Sequence, residues 1–335
     1  MKRSLLPPVL MTVLIVALGA YSEARHSEFL GNLNLNSLLL EAMPLILVSL
    51  GQASALLVGG FDVSVAALMT TCVVTASYTM TPSMSGFALV PGALAVVGVG
   101  LATGVFNAFL IRVLRLPSIV ATLGTLSILE GVSLLLRSYP AGPINSDATT
   151  ALNSSVSFVP LAFIGVVALA VLADRWLYRT RTGLALRAVG LDATSSRRLG
   201  MPTGRTILLA FVVCSVMAAI AGFYLAAEVQ IGSPIIGNQA LESIAAAVLG
   251  GASLAGGRGS FFGTLLAALF LTEIDNVLPL FQQPTEYADM AIGALILLAL
   301  VLYQAPDLIA RARTARRRVQ PLPAKAFDLG SSSTN

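Results

Sequence analysis

The chain has 335 residues, of which 56% are hydrophobic and only 11% charged, with a mean hydropathy of +0.86. Soluble domains carry about 25% charged residues, so a soluble globular enzyme is excluded; disorder, whose signature is low hydrophobicity and high charge, is excluded with it. The net charge of +4 takes its meaning from where the basic residues fall along the apolar runs.

A helix crosses the hydrocarbon core with about 20 predominantly apolar residues. In chain order, such runs lie near 5–20, 38–58, 64–80, 87–111, 117–136, 156–176, 206–227, 240–256, 259–279 and 287–304. They are continuously apolar and do not alternate over about ten residues, which indicates helices and not a barrel. The expected fold is an all-α integral membrane protein of about ten transmembrane helices. The third and eighth runs are short and rich in Gly, Ser and Thr.

Cytoplasmic loops carry an excess of Lys and Arg. With an inside N-terminus, Lys2, Arg3, Arg112, Arg115, Arg175, Arg179, Arg181, Arg187, Arg197, Arg198, Arg205, Arg258, Arg311, Arg313, Arg316, Arg317, Arg318 and Lys325 all fall on the cytoplasmic side, and only Arg25 and Arg137 fall outside. Both termini are thus expected in the cytoplasm, with a membrane domain over 1–310 and a basic, then flexible, tail over 311–335. Topology and anionic lipid account for the positive charge, and no nucleic-acid partner is needed. The Arg311–Arg318 cluster reads as a stop-transfer flank or as a docking surface. Residues 1–20 carry a signal-peptide pattern, but cleavage would leave nine spans; an uncleaved first helix fits the charge distribution better.

Much chemistry is missing. His26, in the first external loop, is the single histidine, and Cys72 and Cys214 both fall inside spans, so the usual zinc, haem and Ser–His–Asp arrangements are not available. Gly98, Gly100 and Gly104 imitate part of a dinucleotide fingerprint without its preceding strand; Gly100 and Gly104 fit a small-xxx-small helix contact. The stretch from Gly250 to Gly259 has the rhythm of a phosphate loop but lacks its Lys, since the only lysines are Lys2 and Lys325. If ATP drives this protein, another chain holds the ATP and its magnesium.

Charged groups inside a membrane each ask for a reason. Glu41, Glu130, Glu228, Glu273, Asp275 and Asp289 fall toward span ends; Asp62 and Glu242 stand out. Asp62 follows Gly59-Gly60, which breaks the second run, so it either caps the next helix or contacts a substrate. Gly-Gly pairs flank both short spans, at Gly59-Gly60 and at Gly250-Gly251, with Gly256-Gly257 beyond. Two halves of five spans would form an inverted repeat, in which paired interrupted helices mark a transport path. The loop over about 177–205 holds most of the internal basic residues. Asp192 caps a short helix over 193–199 and Gly200 ends it; that helix is an interfacial connector or the contact for a soluble motor.

Four stretches together resemble one family. Leu57-Val-Gly-Gly-Phe-Asp-Val-Ser-Val65, Asn107 to Leu126 with Leu116-Pro-Ser-Ile-Val-Ala-Thr-Leu-Gly-Thr125, Gly183-Leu-Ala-Leu-Arg-Ala-Val-Gly190 followed by Arg197-Arg-Leu-Gly200, and Leu241 to Gly259 occur in the order and spacing of the ribose-type permeases of bacterial ATP-binding-cassette importers. The branched-chain amino-acid permeases are similar but match less well. The resemblance implies an inner-membrane monosaccharide permease without enzymatic activity or a cofactor of its own. It would pair with a second permease copy, receive sugar from a periplasmic binding protein, and couple to cytoplasmic ATPases through Gly183, Arg187, Gly190, Asp192, Arg197 and Gly200. Val58, Ala66 and Ala67 depart from the family around Asp62. Ser195 and Ser196 stand where the family carries paired alanines, which implies a matched ATPase. A neutral sugar asks for hydrogen-bonding groups, and Asp62, Ser64, Asn107, Asn238 and Glu242 are the candidate pathway residues, with helix capping or packing the competing role of each. A proton-coupled transporter using Glu242 or Asp62 and a channel-like protein are the other classes.

Overall fold

The structure, a computed structural model, describes residues 6–297 except 85, 236, 238, 285, 286, 288, 289 and 296. The chain divides after Ile296, and all elements below belong to the first unit. The tenth expected span is thus only partly described, and the basic tail lies outside the described residues.

Among the described residues, seven helices are long and apolar enough to cross a membrane: α1 (Leu6–Arg25), α2 (Asn32–Leu57), α4 (Val90–Arg112), α5 (Ser118–Leu136), α7 (Leu161–Arg179), α10 (Thr203–Val229) and α12 (Phe261–Leu280). Two shorter apolar helices, α3 (Val65–Thr79) and α11 (Gln239–Leu249), occupy the third and eighth runs. Threonine-rich α3 sits in an apolar bundle because its hydroxyls bond back one turn, Thr71 to the Ala67 carbonyl, Thr75 to Thr71 and Thr79 to Thr75, leaving few unmet polar groups.

The helices alternate in direction. Leu57, Ser118, Tyr178, Ser260 and the turn after α11 meet at one end of the bundle; Tyr78, Leu136, Asn145 and Gln230 meet at the other. α10 is the hub and packs most extensively on α2, α4 and α3. The α4 contact rests on glycine: a methyl group on Gly104 would stand 2.7 Å from the Val212 Cα, and one on Gly100 2.5 Å from the Ala219 Cβ. Close helix approach of this kind replaces the hydrophobic drive that lipid does not supply, as the Gly100–Gly104 spacing predicts. α4 and α5 expose Leu94 and Leu135 outward.

Three features go beyond the expected runs. The eighth helix stops at Leu249, not at 256, and the chain then turns through Gly250–Gly259. The long loop holds two helices, α8 (Arg181–Leu191) and α9 (Ala193–Arg198). At the opposite end lie short elements absent from the hydropathy reading: α6 (Ser146–Leu152), and strand β1 (Ala141–Pro143), which pairs antiparallel with β4 (Ile231–Gly232), beside a β2 (Ser155–Val156) and β3 (Val159–Pro160) hairpin.

Candidate functional site

Between α2 and α3 the backbone is non-helical from Gly60 to Val63, and free N–H groups within a bundle need partners. Side chains of α5 supply them. The Phe61 N–H donates to Ser118 Oγ (3.1 Å) and the Val63 N–H to Thr122 Oγ1 (3.2 Å). Asp62 Oδ1 accepts from the Ser64 N–H (3.0 Å) and Ser64 Oγ (2.5 Å). Asn107 of α4 donates to Ser64 Oγ (2.9 Å) and, at 3.4 Å, to both Asp62 oxygens, and its own carbonyl accepts from Thr125 Oγ1 (2.6 Å). Asp62, Ser64, Asn107 and Thr122 are fully buried.

Three of the five candidate pathway residues therefore meet in one sealed cluster. Asp62 does not cap α3, as one reading expected: Ser64 holds the N-cap position without a side-chain cap bond, and Asp62 instead accepts from a backbone N–H two residues on, as Asx turns do. Glu242 lies apart, half-buried on the first turn of α11, while the end of that helix faces the turn of glycines. Asn238 falls outside the described residues. Ser118, Thr122 and Thr125 were not singled out from the sequence; their i, i+4, i+7 spacing on an apolar helix is the signal that reveals one polar face.

A second buried carboxylate also escaped the sequence reading. Asp174, near the end of α7, accepts from the Phe261 N–H (2.7 Å) and from Ser260 Oγ (2.8 Å), and Ser260 in turn caps α12 by accepting from the Gly263 N–H (3.0 Å). It sits two residues from the predicted span end, beside Arg175, where an acid looks like loop solvation. At the opposite end of the bundle, Glu41 of α2 and Glu228 of α10 line a cleft of about 220 Å³ with Tyr224, Gln230 and Asn153.

The candidate coupling residues lie on α8 and α9. Gly183 is buried against Leu177, whose carbonyl oxygen would stand 2.3 Å from a methyl group there. The Arg187 guanidinium lies 4.6 Å from the Tyr178 ring centre. Gly190 packs on the end of α2 and on Gly256–Gly257. Asp192 caps α9 as expected, accepting from the Thr194 (2.9 Å) and Ser195 (3.0 Å) N–H groups. Ser195 Oγ donates to the second carboxylate oxygen (2.5 Å), so a position that departs from the family pattern completes the cap. These Ser195 bonds, with the Thr194 N–H and the nearby Arg198 charge, hold the Asp192 carboxyl below the usual carboxylate range. Beyond the cap, Arg197, Arg198, Leu199 and Gly200 are all exposed.

Residues 34–300 match the family model described as "Branched-chain amino acid transport system / permease component". The chain belongs to this family. It is a permease, a multi-pass protein of the bacterial inner membrane and a subunit of a transport system. Relatives include the autoinducer 2 import system permease protein LsrC of Enterobacter sp. (strain 638), 35% identical over 86% of this chain and 84% of the relative. LsrC of Yersinia pseudotuberculosis serotype O:3 (strain YPIII) is 37% identical, and that of Yersinia pestis 36%, each over 78% of this permease and 74% of the relative. No solved structure matches the chain significantly. Membership of the family implies an ATPase and a periplasmic binding protein as partners of this permease.

Proposed function

We propose that this permease imports a small, neutral, polyhydroxylated solute of the monosaccharide type by alternating access, and that separate ATPase subunits on the cytoplasmic face hold and hydrolyse the ATP with its magnesium. The substrate class is supported by the relatives' association with autoinducer 2, a sugar-like molecule, and by the scarcity of charge in the spans. The α8–α9 end, which carries Arg112, Arg179, Arg181, Arg197 and Arg198, is the cytoplasmic face by the positive-inside rule. The proposal includes ten spans, both termini inside, and a second permease copy. Under an inverted repeat, the counterpart of the 58–64 break lies on the N-terminal side of α11, because Gly59 and Gly256 lie at the same end of the bundle.

The observation that carries this reading is α9. A capped helix with exposed Arg197, Arg198 and Leu199 projects from the basic end of an otherwise apolar bundle, and a soluble partner has there a fixed, charged surface to grip. Asp62, Ser64 and Asn107 serve the path by holding its α2–α3 break in place; Glu242 belongs to its opposite half. The cleft beside Glu41, Tyr224 and Glu228 is the polar mouth that faces the binding protein.

Reconstitution into proteoliposomes with and without the ATPase and binding protein tests the reading. Uptake of a labelled pentose or autoinducer 2 is expected only with both partners and ATP, and excess leucine is expected not to compete. Uptake driven by a proton gradient without ATP would replace this reading with a secondary transporter, and competition by leucine would replace the sugar with a branched-chain amino acid.

A further inference from the structure

Three stretches far apart in the chain meet backbone to backbone at one point. Leu57 ends α2, and its carbonyl oxygen accepts from the Gly257 N–H at 3.0 Å. Gly190, next to the last residue of α8, presses on the same carbonyl: a methyl group there would stand 1.9 Å from the Leu57 oxygen and 2.5 Å from the Gly257 nitrogen. A methyl group on Gly256 would stand 2.6 Å from the Gly190 oxygen and 2.9 Å from the Gly59 Cα. One on Gly257, whose φ is +76°, would fall 2.3 Å from the Leu191 side chain. Tyr178 ties the end of α7 to the same place by donating its hydroxyl to the Gly259 carbonyl (2.9 Å), while its ring supports Arg187 of α8.

Most inter-helix contacts are made by side chains, which absorb small displacements by changing rotamer. No side chain intervenes between Gly190, Leu57 and Gly256–Gly257, and close-packed backbone transmits strain instead of absorbing it. A shift of α8 therefore either carries the end of α2 and the 250–259 turn with it or breaks the Gly257–Leu57 bond. Leu57 leads into the break before α3, and the turn leads into α12.

We infer that this glycine junction is the transmission joint of the importer: Gly190 delivers a displacement of α8–α9 to the α2–α3 break and to the α11–α12 turn together, so that both move at once. The inference rests on the reading of α9 as the ATPase contact. Gly190, Gly256 and Gly257 are positioning residues; they touch neither solute nor nucleotide.

The test is the number of solute molecules imported per ATP hydrolysed, measured on the full complex in proteoliposomes. Gly190→Ala is expected to lower this ratio by roughly tenfold, within the usual range of couplings between sites, while ATP hydrolysis continues. Leu191→Ala removes the side chain seated on Gly257 and adds nothing, and is expected to lower the ratio by a smaller factor. A merely structural role would reduce uptake and hydrolysis together and leave the ratio unchanged; an unchanged ratio in both variants overturns the joint. If Gly190→Ala does not assemble, the Leu191→Ala ratio decides alone. Wild-type uptake that ignores ATP is a separate result, which overturns the importer reading and the joint with it.

Discussion

The break at 58–64 and the turn at 250–260 sit side by side at the same end of the bundle and are built in opposite ways. The break is held by side chains: Ser118 and Thr122 of α5 satisfy its N–H groups, and Asn107 of α4 clasps Asp62 and Ser64. The turn is held mainly by backbone, with the Ser253 N–H donating to the Arg258 carbonyl and the Gly257 N–H to Leu57; side chains from outside it act at its exit, through Tyr178, Asp174 and Ser260. One interruption is thus anchored to α4 and α5, the other to α7 and α12. Side-chain anchors fix position through buried polar networks, which are costly when half satisfied; backbone contacts fix spacing and tolerate no added atom.

The largest expected effect comes from the break. Asn107→Leu removes the amide that Asp62 and Ser64 share and leaves the buried Asp62 carboxylate only its two Ser64 bonds, and the loss is expected to be about 3 kcal/mol, the upper end for hydrogen bonds to a charged group. Thermal unfolding in detergent would show it as a lowered Tm. Because the two residues share one network, Asp62→Leu combined with Asn107→Leu should cost less than the sum of the single changes. Strict additivity would mean that the cluster does not act as a unit.

The turn should respond less. Asp174→Ala removes the acceptor of the Phe261 N–H and Ser260 Oγ at the start of α12, an expected loss of about 1–2 kcal/mol for a helix cap. Limited proteolysis between Ala252 and Arg258 is expected to speed up in this variant and not in Asn107→Leu. Equal acceleration in both would erase the distinction between the two anchors. Smaller again is Ser118→Ala, which takes one acceptor from the Phe61 N–H at a cost of about 1 kcal/mol, read by the same unfolding measurement.

How much of this was legible beforehand follows from the same contrast. Helices are written in continuous apolar runs, so the seven long apolar helices among the described residues and the two shorter ones, α3 and α11, fall on expected runs, and the Gly100–Gly104 spacing foretold the α4–α10 contact. Asp62, Ser64 and Asn107 were picked out singly as polar residues in apolar surroundings, but nothing local shows that they touch, because their contact depends on how α3, α4 and α5 cross. Asp174 was overlooked because hydropathy places it at a span end, where a carboxylate needs no explanation; its role appears only when the start of α12 arrives beside it. The glycines at 190, 256 and 257 are conspicuous as composition, yet their meeting at Leu57 is a tertiary fact. α8 was hidden because an interfacial helix lacks the length and the apolar run that mark a span.

The smallest expected effect separates both interruptions from the exposed cap of α9. Asp192 is solvent-exposed, and its carboxyl is held below the usual range by Ser195, Thr194 and Arg198. A depressed folded value has a definite sign: the cap's contribution is fully present above the ordinary carboxylate pKa and is lost as pH falls through the lower, folded value. A spin label at Leu199→Cys, an exposed position just past α9, in the permease reconstituted in nanodiscs, should therefore stay ordered down through the ordinary carboxylate range and become mobile only below it. Cys72 and Cys214 are buried and should take up little label. Asp192→Asn in the same background should show no such transition, since an amide accepts the Thr194 and Ser195 N–H groups at any pH but does not titrate. A transition at or above the ordinary carboxylate value would mean that the Ser195 hydroxyl does not hold Asp192 in solution. The residue that departs from the family's paired alanines would then have to be explained by the ATPase it meets and not by the helix it caps.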